Sequence, residues 1–308
     1  MLLRKTVKII SVFSYAHLLV NLFMRFSIEQ IIRQYSQQLE SQSDTARLDV
    51  ELLLARSLDK NRTYLFTWSD KLLTEEQENT FKGLFTRRLK GEPIAYILGE
   101  QEFWDLTLKT AAHTLIPRAD TETLIDWVLE LAGELPNKSN VIDLGTGTGA
   151  IALVLASEFP TWNVQGVDLI PQAVALAQQN AKLNNLQQVK FYQSSWFDNV
   201  AGRFDLIVSN PPYIDPDDEH LDQGDVRFEP RTALIAKNNG LADLEFIAQQ
   251  GRAYLCDGGW LLMEHGYDQQ DAIQKILTEL GYQQVSTRLD LAGNPRISGG
   301  KFFNSGNL

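Results

Sequence analysis

The spacing of apolar residues divides the chain into a helical part and a part in which strands and helices alternate. Between Ser27 and about Lys90, apolar residues recur at intervals of three and four, which predicts amphipathic helices. Acidic residues follow Ser43 and Thr74 closely, as is typical of the first turn of a helix. We therefore predict a small all-helical domain of four or five helices over residues 24–90.

The pattern changes at Gly91, where helical spacing gives way to glycines, prolines and alternating apolar residues. Residues 91–118 predict a β-hairpin linker that leads to a helix at Thr121. In residues 119–308 strand-like and helix-like segments alternate, which indicates an α/β domain whose parallel sheet has helices on both faces. Two further strand-like segments near the end are close enough to pair in antiparallel fashion. The predicted strands are 140–144, 163–167, 189–193, 204–209 and 258–264, and the predicted helices are 150–158, 171–184, 241–255 and 268–280.

Composition and charge narrow the classes of partner. The chain has 308 residues, of which 44% are hydrophobic, and its net charge is −11. An acidic protein is a poor ligand for phosphate backbones, so we predict no direct nucleic-acid contact and a better match to a basic protein partner. The single cysteine, Cys256, excludes an internal disulfide and indicates a reducing compartment, so we predict a cytoplasmic protein. No cluster of cysteine and histidine residues has metal-site spacing, so we expect no metal site. We also expect a monomer.

The first 23 residues differ from the rest of the chain. Basic residues precede an apolar run that begins at Ile9, which resembles the start of a signal peptide. The run lacks a small-x-small cleavage site and is short for a membrane span of about 20 apolar residues. We interpret residues 1–23 as an N-terminal extension, either dispensable or the product of a misplaced start, and we expect no membrane partner.

The segment after the first predicted strand is a candidate ligand loop. Its residues are Gly145, Thr146, Gly147, Thr148 and Gly149. Glycines permit a tight turn there, and the helix behind them offers free N–H groups to a ligand. Asp168 ends the second strand, where a ribose needs its hydroxyls bound. The glycine pattern alone also fits a dinucleotide, but Asp143 would repel a pyrophosphate and can instead counter a positive ligand group. Trp196, after the third strand, can pack on an adenine ring.

The fourth predicted strand ends in the turn Asn210–Pro211–Pro212–Tyr213. The two prolines stop the sheet ladder and stiffen the chain. The side-chain oxygen of Asn210 and the carbonyl oxygen of Pro211 can accept the hydrogens of a planar NH₂ group, and Tyr213 can stack on it. Such a platform can hold a weakly nucleophilic nitrogen in line for methyl transfer, and a hydride-transfer enzyme does not need it. The turn therefore predicts methylation of an amide or amino nitrogen, with Asn210, Pro211 and Tyr213 as the catalytic residues.

These motifs occur in an order that resembles one enzyme family. The stretches "DLGTGTGAIAL", "SSWF", "NPPYI" and "VRFEPRTAL", together with Asp168, are similar to the N5-glutamine methyltransferases that modify translation termination factors. The resemblance runs from about Met24 to Phe303. It implies a Rossmann-like, seven-stranded class I methyltransferase sheet whose last strand is antiparallel. It also implies S-adenosylmethionine as cofactor and class-1 peptide chain release factors as protein substrates.

The resemblance assigns roles to residues as well. Gly145 to Gly149 would cradle S-adenosylmethionine, Asp168 would bind its ribose, and Trp196 would lie near its adenine. Asn210 would touch both cofactor and substrate, and the turn to Tyr213 would hold the glutamine of a Gly-Gly-Gln tripeptide. The helical domain would dock the body of the release factor. Four alternatives stay open: a glutamine methyltransferase for a large-subunit ribosomal protein, a DNA adenine N6-methyltransferase, an inactive cofactor-binding assembly factor and a nicotinamide oxidoreductase.

Overall fold

The computed structural model describes residues 26–303, so the interpretation of residues 1–23 as an extension lies outside the described residues. The chain forms two compact units, one that ends at Ile97 and one that begins at Leu98. In the described residues, no helix is long and apolar enough to cross a membrane.

The first unit is helical, as predicted. Its first four helices are α1 (Ile28–Leu39), α2 (Ala46–Leu58), α3 (Arg62–Thr67) and α4 (Glu75–Leu89). Capping boxes at Ser27 and Thr74 start α1 and α4: each hydroxyl accepts a backbone N–H three residues on, and a glutamine side chain bonds back. Leu39, Leu53 and Phe81 are fully buried between the helices. The apolar spacing read from the sequence therefore corresponds to the faces that pack.

A short helix and a hairpin follow. The helix α5 (Ile94–Leu98) occupies the start of the segment that the sequence indicated as a β-hairpin. It forms because the carbonyl of Pro93 accepts the N–H groups of Tyr96 and Ile97. The hairpin itself pairs β1 (Glu100–Phe103) with β2 (Leu106–Lys109) in antiparallel fashion. The side-chain amide of Asn180 bonds the N–H and the carbonyl of Lys109 at 2.7 and 3.1 Å, which ties the hairpin to a helix of the same second unit.

The second unit contains the predicted seven-stranded sheet. Its remaining strands are β3 (Asn140–Leu144), β4 (Asn163–Asp168), β5 (Lys190–Gln193), β6 (Phe204–Ser209), β7 (Leu255–Glu264), β8 (Gln283–Leu289) and β9 (Pro295–Phe302). Its helices are α6 (Glu122–Leu131), α7 (Ala150–Glu158), α8 (Pro171–Leu183), α9 (Ala242–Tyr254) and α10 (Gln270–Glu279). The strand order is β5-β4-β3-β6-β7-β9-β8. The pairs from β5 to β7 are parallel, and β9 runs antiparallel to both β7 and β8, so the fold class and the antiparallel last strand are confirmed.

The sheet register sets where ligand-binding residues meet. The strands β3 and β6 lie in the middle of the sheet, and Leu144 at the end of β3 pairs with both Val167 in β4 and Ser209 in β6. The carboxyl ends of β3, β4 and β6 therefore lie side by side at one edge of the sheet. In open parallel sheets this edge, at the point where strand order reverses, is where ligands bind.

Candidate active site

A cavity of about 370 Å³ opens at the carboxyl ends of the central strands. Residues of the glycine loop from Gly145 to Thr148, Asp168, Trp196, Asn210 and Pro212 all line it. The structure thus brings together residues that the sequence placed after four different strands. Gly149, Pro211 and Tyr213 are not among the lining residues, and their predicted ligand contacts stay predictions.

The glycine loop takes a backbone conformation that favours glycine. Gly145, Gly147 and Gly149 have φ angles of 72°, 55° and 85°. The N–H groups of Gly145 and Thr146 both donate to the carbonyl of Val167, at 2.9 Å each. At Gly149 an added Cβ would lie 3.1 Å from the Phe191 ring. Gly149 therefore serves the close packing of α7 against the sheet, while the residues before it face the cavity.

Asp168 joins the glycine loop to the end of β4. Its two carboxylate oxygens accept the N–H groups of Gly147 and Ile170 at 2.9 and 2.8 Å. Burial raises the pKa of Asp168, and these two backbone hydrogen bonds act against that rise. Each carboxylate oxygen has a second lone pair, so Asp168 can accept two further hydrogen bonds from a diol.

Asp143 supports the loop from below and does not line the cavity. It is fully buried, and its Oδ2 accepts a 2.6 Å hydrogen bond from the Thr146 hydroxyl. Its Oδ1 has no hydrogen-bond partner among the described residues. Burial raises the pKa of Asp143 to about 7, against the opposing effect of the Thr146 hydroxyl. Thr146 does line the cavity, and the predicted role of Asp143 toward a positive ligand group stays a prediction.

Trp196 and Asp243 form the far side of the cavity. Trp196 adopts a positive φ of 46°, and its ring comes close to Gly145, where an added Cβ would lie 3.4 Å from it. Burial raises the pKa of Asp243, while a hydrogen bond with the Trp196 side chain lowers it. An aromatic face beside a carboxyl group can hold a flat ring that carries an amino group. The sequence reasoning missed Asp243, although an acidic residue in the first turn of a helix was a visible signal.

The turn after β6 is held by side chains from elsewhere in the unit. Asn210 donates from Nδ2 to the hydroxyl of Thr121 at 3.2 Å, and that hydroxyl donates to Oε2 of Glu264 at 2.6 Å. The Tyr213 hydroxyl donates to Oε1 of the same carboxyl group at 3.2 Å. Pro211 is buried. The sequence reasoning missed both Thr121 and Glu264.

Glu264 is a buried acid. It is the last residue of β7 and is 1% exposed. Burial raises the pKa of Glu264 to about 7, while Thr121, Arg296 and Tyr213 act in the opposite direction. The same burial raises the pKa of Tyr213, so its hydroxyl keeps its proton. Across residues 26–303 no group of three or more His, Cys, Asp or Glu side chains is arranged to hold a metal ion.

Two protein-family models match the chain. The PrmC N-terminal domain matches residues 30–99, and the methyltransferase small domain matches residues 123–228. The second match contains the glycine loop, Asp168, Trp196 and the turn after β6.

Three similar proteins from different bacteria are each named release factor glutamine methyltransferase. The release factor glutamine methyltransferase of Aliivibrio fischeri is 50% identical over 282 residues, which cover 91% of this chain and 99% of that protein. That of Vibrio cholerae is 49% identical, with coverages of 91% and 98%. That of Escherichia coli is 45% identical over 273 residues, with coverages of 88% and 98%.

A solved structure shares the fold. The hMettl16 catalytic domain, in complex with the MAT2A 3′UTR hairpin 6, superposes with a TM-score of 0.52 over 77% of this chain and 86% of that chain. The sequence identity is 15%, so the likeness concerns the architecture of the sheet and its helices.

Proposed function

The chain belongs to the release factor glutamine methyltransferase family, and on that premise we propose that it methylates N5 of the glutamine in the Gly-Gly-Gln tripeptide of class-1 release factors. Membership in the family confirms the class of enzyme predicted from the sequence, a glutamine methyltransferase for release factors that uses S-adenosylmethionine. The atom that receives the methyl group and the tripeptide around it are the proposal.

One observation carries the proposal: Asn210 and Pro212 line the same cavity as the glycine loop, Asp168 and Trp196. An amide NH₂ is a weak nucleophile because its lone pair is delocalised, so an enzyme must fix its position and direction. The Asn210 side-chain oxygen and the Pro211 carbonyl are acceptors on a stiff turn, and each can take one hydrogen of the substrate amide. Positioning of this kind can lower a barrier by about 7–11 kcal/mol.

The residues present fit the cofactor of this class. When bound, S-adenosylmethionine supplies a methyl group on a positively charged sulfur. Asp168 has lone pairs left for the two ribose hydroxyls, and Trp196 with Asp243 suits an adenine with its amino group. Gly145 and Gly147 of the glycine loop line the cavity and have no side chain that would fill it. The side-chain oxygen of Asn210 then orients the substrate nitrogen that receives the methyl group, at the other end of the same cavity.

An exposed aromatic patch on the helical unit supports docking of the release factor body. Phe66 and Trp68 are 55% and 51% exposed, and both belong to α3 and its carboxyl end. Arg62 lies over the Phe66 ring at 6.0 Å, and Tyr64 contacts Trp68 at 6.4 Å between ring centroids. Large exposed aromatic residues with basic neighbours are typical of protein–protein contact sites.

The patch gives a specific expectation. The substitution Trp68→Ala should raise the KM for an intact release factor by about tenfold, the effect of losing roughly 1.4 kcal/mol of contact energy. It should leave the kinetics with a short Gly-Gly-Gln peptide unchanged. Steady-state assays with the two substrates measure the difference, and Leu129→Ala, an exposed apolar residue of the other unit, is the control. Equal effects of Trp68→Ala on both substrates would contradict docking by the patch.

The substrate class is tested by competition among acceptors. The purified enzyme is incubated with methyl-labelled S-adenosylmethionine and, separately, with a class-1 release factor, large ribosomal subunits or adenine-containing DNA. We expect label in the release factor alone. Label in a ribosomal protein or in DNA, with none in the release factor, would overturn the proposal in favour of the corresponding alternative.

A further inference from the structure

We propose that Thr121 and Glu264 are positioning residues that fix the direction of the Asn210 side-chain amide. The proposal deepens the function above and rests on it. Neither residue is in the turn: Thr121 ends a short helical turn before α6, and Glu264 ends β7. They lie 143 residues apart in the sequence, and their side chains meet at 2.6 Å; Thr121 lines the cavity beside Asn210, and Glu264 is not among the lining residues.

The count of hydrogens decides which way Asn210 points. A threonine hydroxyl has one hydrogen, and an ionised carboxyl group only accepts. Thr121 gives its hydrogen to Glu264, so toward Asn210 it can only accept. Asn210 must therefore present its NH₂ group to Thr121, as it does at 3.2 Å. The oxygen on the other branch of the amide is left for a hydrogen of the substrate.

The second oxygen of Glu264 is already in use. The Tyr213 hydroxyl donates to it at 3.2 Å, so one carboxyl group holds both ends of the turn. We call the hydrogen-bonded pair Thr121 and Glu264 the anchor. Without it, the half-buried side-chain amide of Asn210 could rotate and turn its NH₂ group toward the NH₂ group of the substrate amide. Buried polar networks keep one arrangement only while every member has its partner. The anchor thus acts on catalysis through Asn210 and does not need to touch the substrate.

Protonation of Glu264 would release this constraint. A proton on Oε2 can be donated to Thr121, and the hydrogen of Thr121 is then free to bond the Asn210 oxygen. The amide could reverse, and its oxygen would no longer face the substrate. Methylation should therefore require the ionised carboxyl group and fall as the pH is lowered through its pKa.

The groups around Glu264 come from several elements. Arg296 of β9 favours its ionised form and is itself paired with Asp290 and Asp120, at 3.0 and 3.4 Å. Asp120, next to Thr121, and the Tyr213 hydroxyl also face it. His265 is adjacent in sequence, but its two ring nitrogens contact Ser298 and the Gly266 carbonyl. Burial is the largest influence on the pKa of Glu264, which rises to about 7 and into the range of an ordinary assay.

The chain offers matched variants. Thr121→Val removes the hydroxyl and keeps the shape, Thr121→Ser keeps the hydroxyl, and Glu264→Gln removes the charge. Thr287→Val is the control, because Thr287 belongs to a separate hydroxyl chain through Ser298 to His265. Each variant is assayed with intact release factor from pH 6 to pH 9, with cofactor affinity and melting temperature measured beside it.

We expect Thr121→Val and Glu264→Gln to lower kcat by about tenfold or more, with cofactor Kd within about threefold of the parent. Thr121→Ser and Thr287→Val should stay within about threefold of the parent kcat. The fall in kcat below about pH 7 should be present in the parent and absent in Glu264→Gln. Parent-like kcat in Thr121→Val, equal losses in the valine and serine variants, or an unchanged pH profile in Glu264→Gln would overturn the inference.

A readout without catalysis separates this inference from the proposed function. The side-chain NH₂ signals of Asn210, assigned by their loss in Asn210→Ala, should shift in Thr121→Val and not in Thr121→Ser. If the parent does not methylate release factor, the proposed function fails, and these signals still test the anchor. Unshifted signals in Thr121→Val would refute it. If Glu264→Gln does not fold, the two Thr121 variants decide.

Discussion

The glycine-loop end of the cavity is held mainly through hydrogen bonds of its backbone N–H groups, whereas the Asn210 end is held by hydrogen bonds between side chains. At the first end, Asp168 receives the N–H groups of Gly147 and Ile170, and the loop bonds back to the Val167 carbonyl. At the second end, Asn210 depends on Thr121, and Thr121 depends on Glu264. The first end depends on the local chain conformation and on two nearby acids, Asp143 and Asp168, and the second depends on an ionisable group from a distant strand.

This difference separates two ways in which the enzyme can fail. A backbone loop with positive φ angles loses its shape through substitution at the loop itself. A side-chain network loses its direction when any member is removed or protonated, even far from the ligand. Variants at the glycine-loop end should therefore change cofactor binding, and variants at the Asn210 end should change turnover.

The largest effect is expected from Asn210→Ala. It removes the acceptor that directs the substrate nitrogen, so methylation of release factor should fall by about a thousandfold or more, equivalent to about 4 kcal/mol. Cofactor affinity should stay within about tenfold, or about 1.4 kcal/mol. Mass spectrometry of the treated release factor and calorimetry with the cofactor measure the two. Asn137→Ala, in an exposed loop before β3, is the control.

Full methylation by Asn210→Ala would contradict the role of the turn. A loss of cofactor affinity as large as the loss of turnover would instead place Asn210 at the same end as the glycine loop, and the comparison would fail.

The next effect is expected from Asp168→Ala. The carboxyl group should make charge-assisted hydrogen bonds to ribose hydroxyls, each worth about 1.5–3 kcal/mol, so cofactor Kd should rise by roughly 10- to 100-fold. Turnover at saturating cofactor should change much less. Isothermal calorimetry measures the affinity, and Asp198→Ala, an exposed acid after β5, is the control. Unchanged binding by the Asp168 variant would rule out the ribose contact.

The smallest expected effect is on the free energy of unfolding, and it comes from the Glu264 carboxyl group. Its folded pKa of about 7 lies above the ordinary value of 4.5, so the folded state holds the proton more tightly than the unfolded state. The contribution of Glu264 to the free energy of unfolding is therefore highest below pH 4.5 and falls as the pH rises through about 7. Glu264→Gln lacks this loss and should gain on the order of 2 kcal/mol, or several degrees of melting temperature, relative to the parent at pH 8.

Melting curves from pH 5 to pH 8 measure this gain. The difference between the variant and the parent should grow with pH, while the catalytic advantage of the parent grows in the same direction. A difference that does not depend on pH would show that the Glu264 carboxyl is not buried at a cost.

The glycine-loop end of the site could be predicted from the sequence because its signals are local. Gly145 to Gly149 follow an apolar strand directly, and Asp168 ends the next strand. Five strands were found by their apolar runs and the last two as strand-like segments close enough to pair, and Asn210 was marked by the two prolines behind it. The helix α5 was missed because its five residues are too few to show a period, although Pro93 before it was a helix-start signal.

Thr121 and Glu264 could not be found in the same way. Thr121 reads as an ordinary helix start and Glu264 as the polar end of a long strand. Their role depends on a hydrogen bond between residues that are 143 positions apart in the sequence, and only the order of the strands in the sheet brings these residues together. One signal was present in the sequence: β3, β4 and β7 each carry an acid at or near the carboxyl end of the strand. Of these acids Asp168 lines the cavity, and Asp143 and Glu264 each accept a hydrogen bond from a lining threonine.

The position of the methyl group on the release factor tests the proposed role of the turn most directly. A class-1 release factor treated with the parent enzyme and S-adenosylmethionine is digested, and its peptides are fragmented in a mass spectrometer. We expect a single added methyl on the side-chain nitrogen of the tripeptide glutamine, and none after treatment with Asn210→Ala. A methyl group on any other residue, or on that glutamine after treatment with the Asn210 variant, would contradict this expectation.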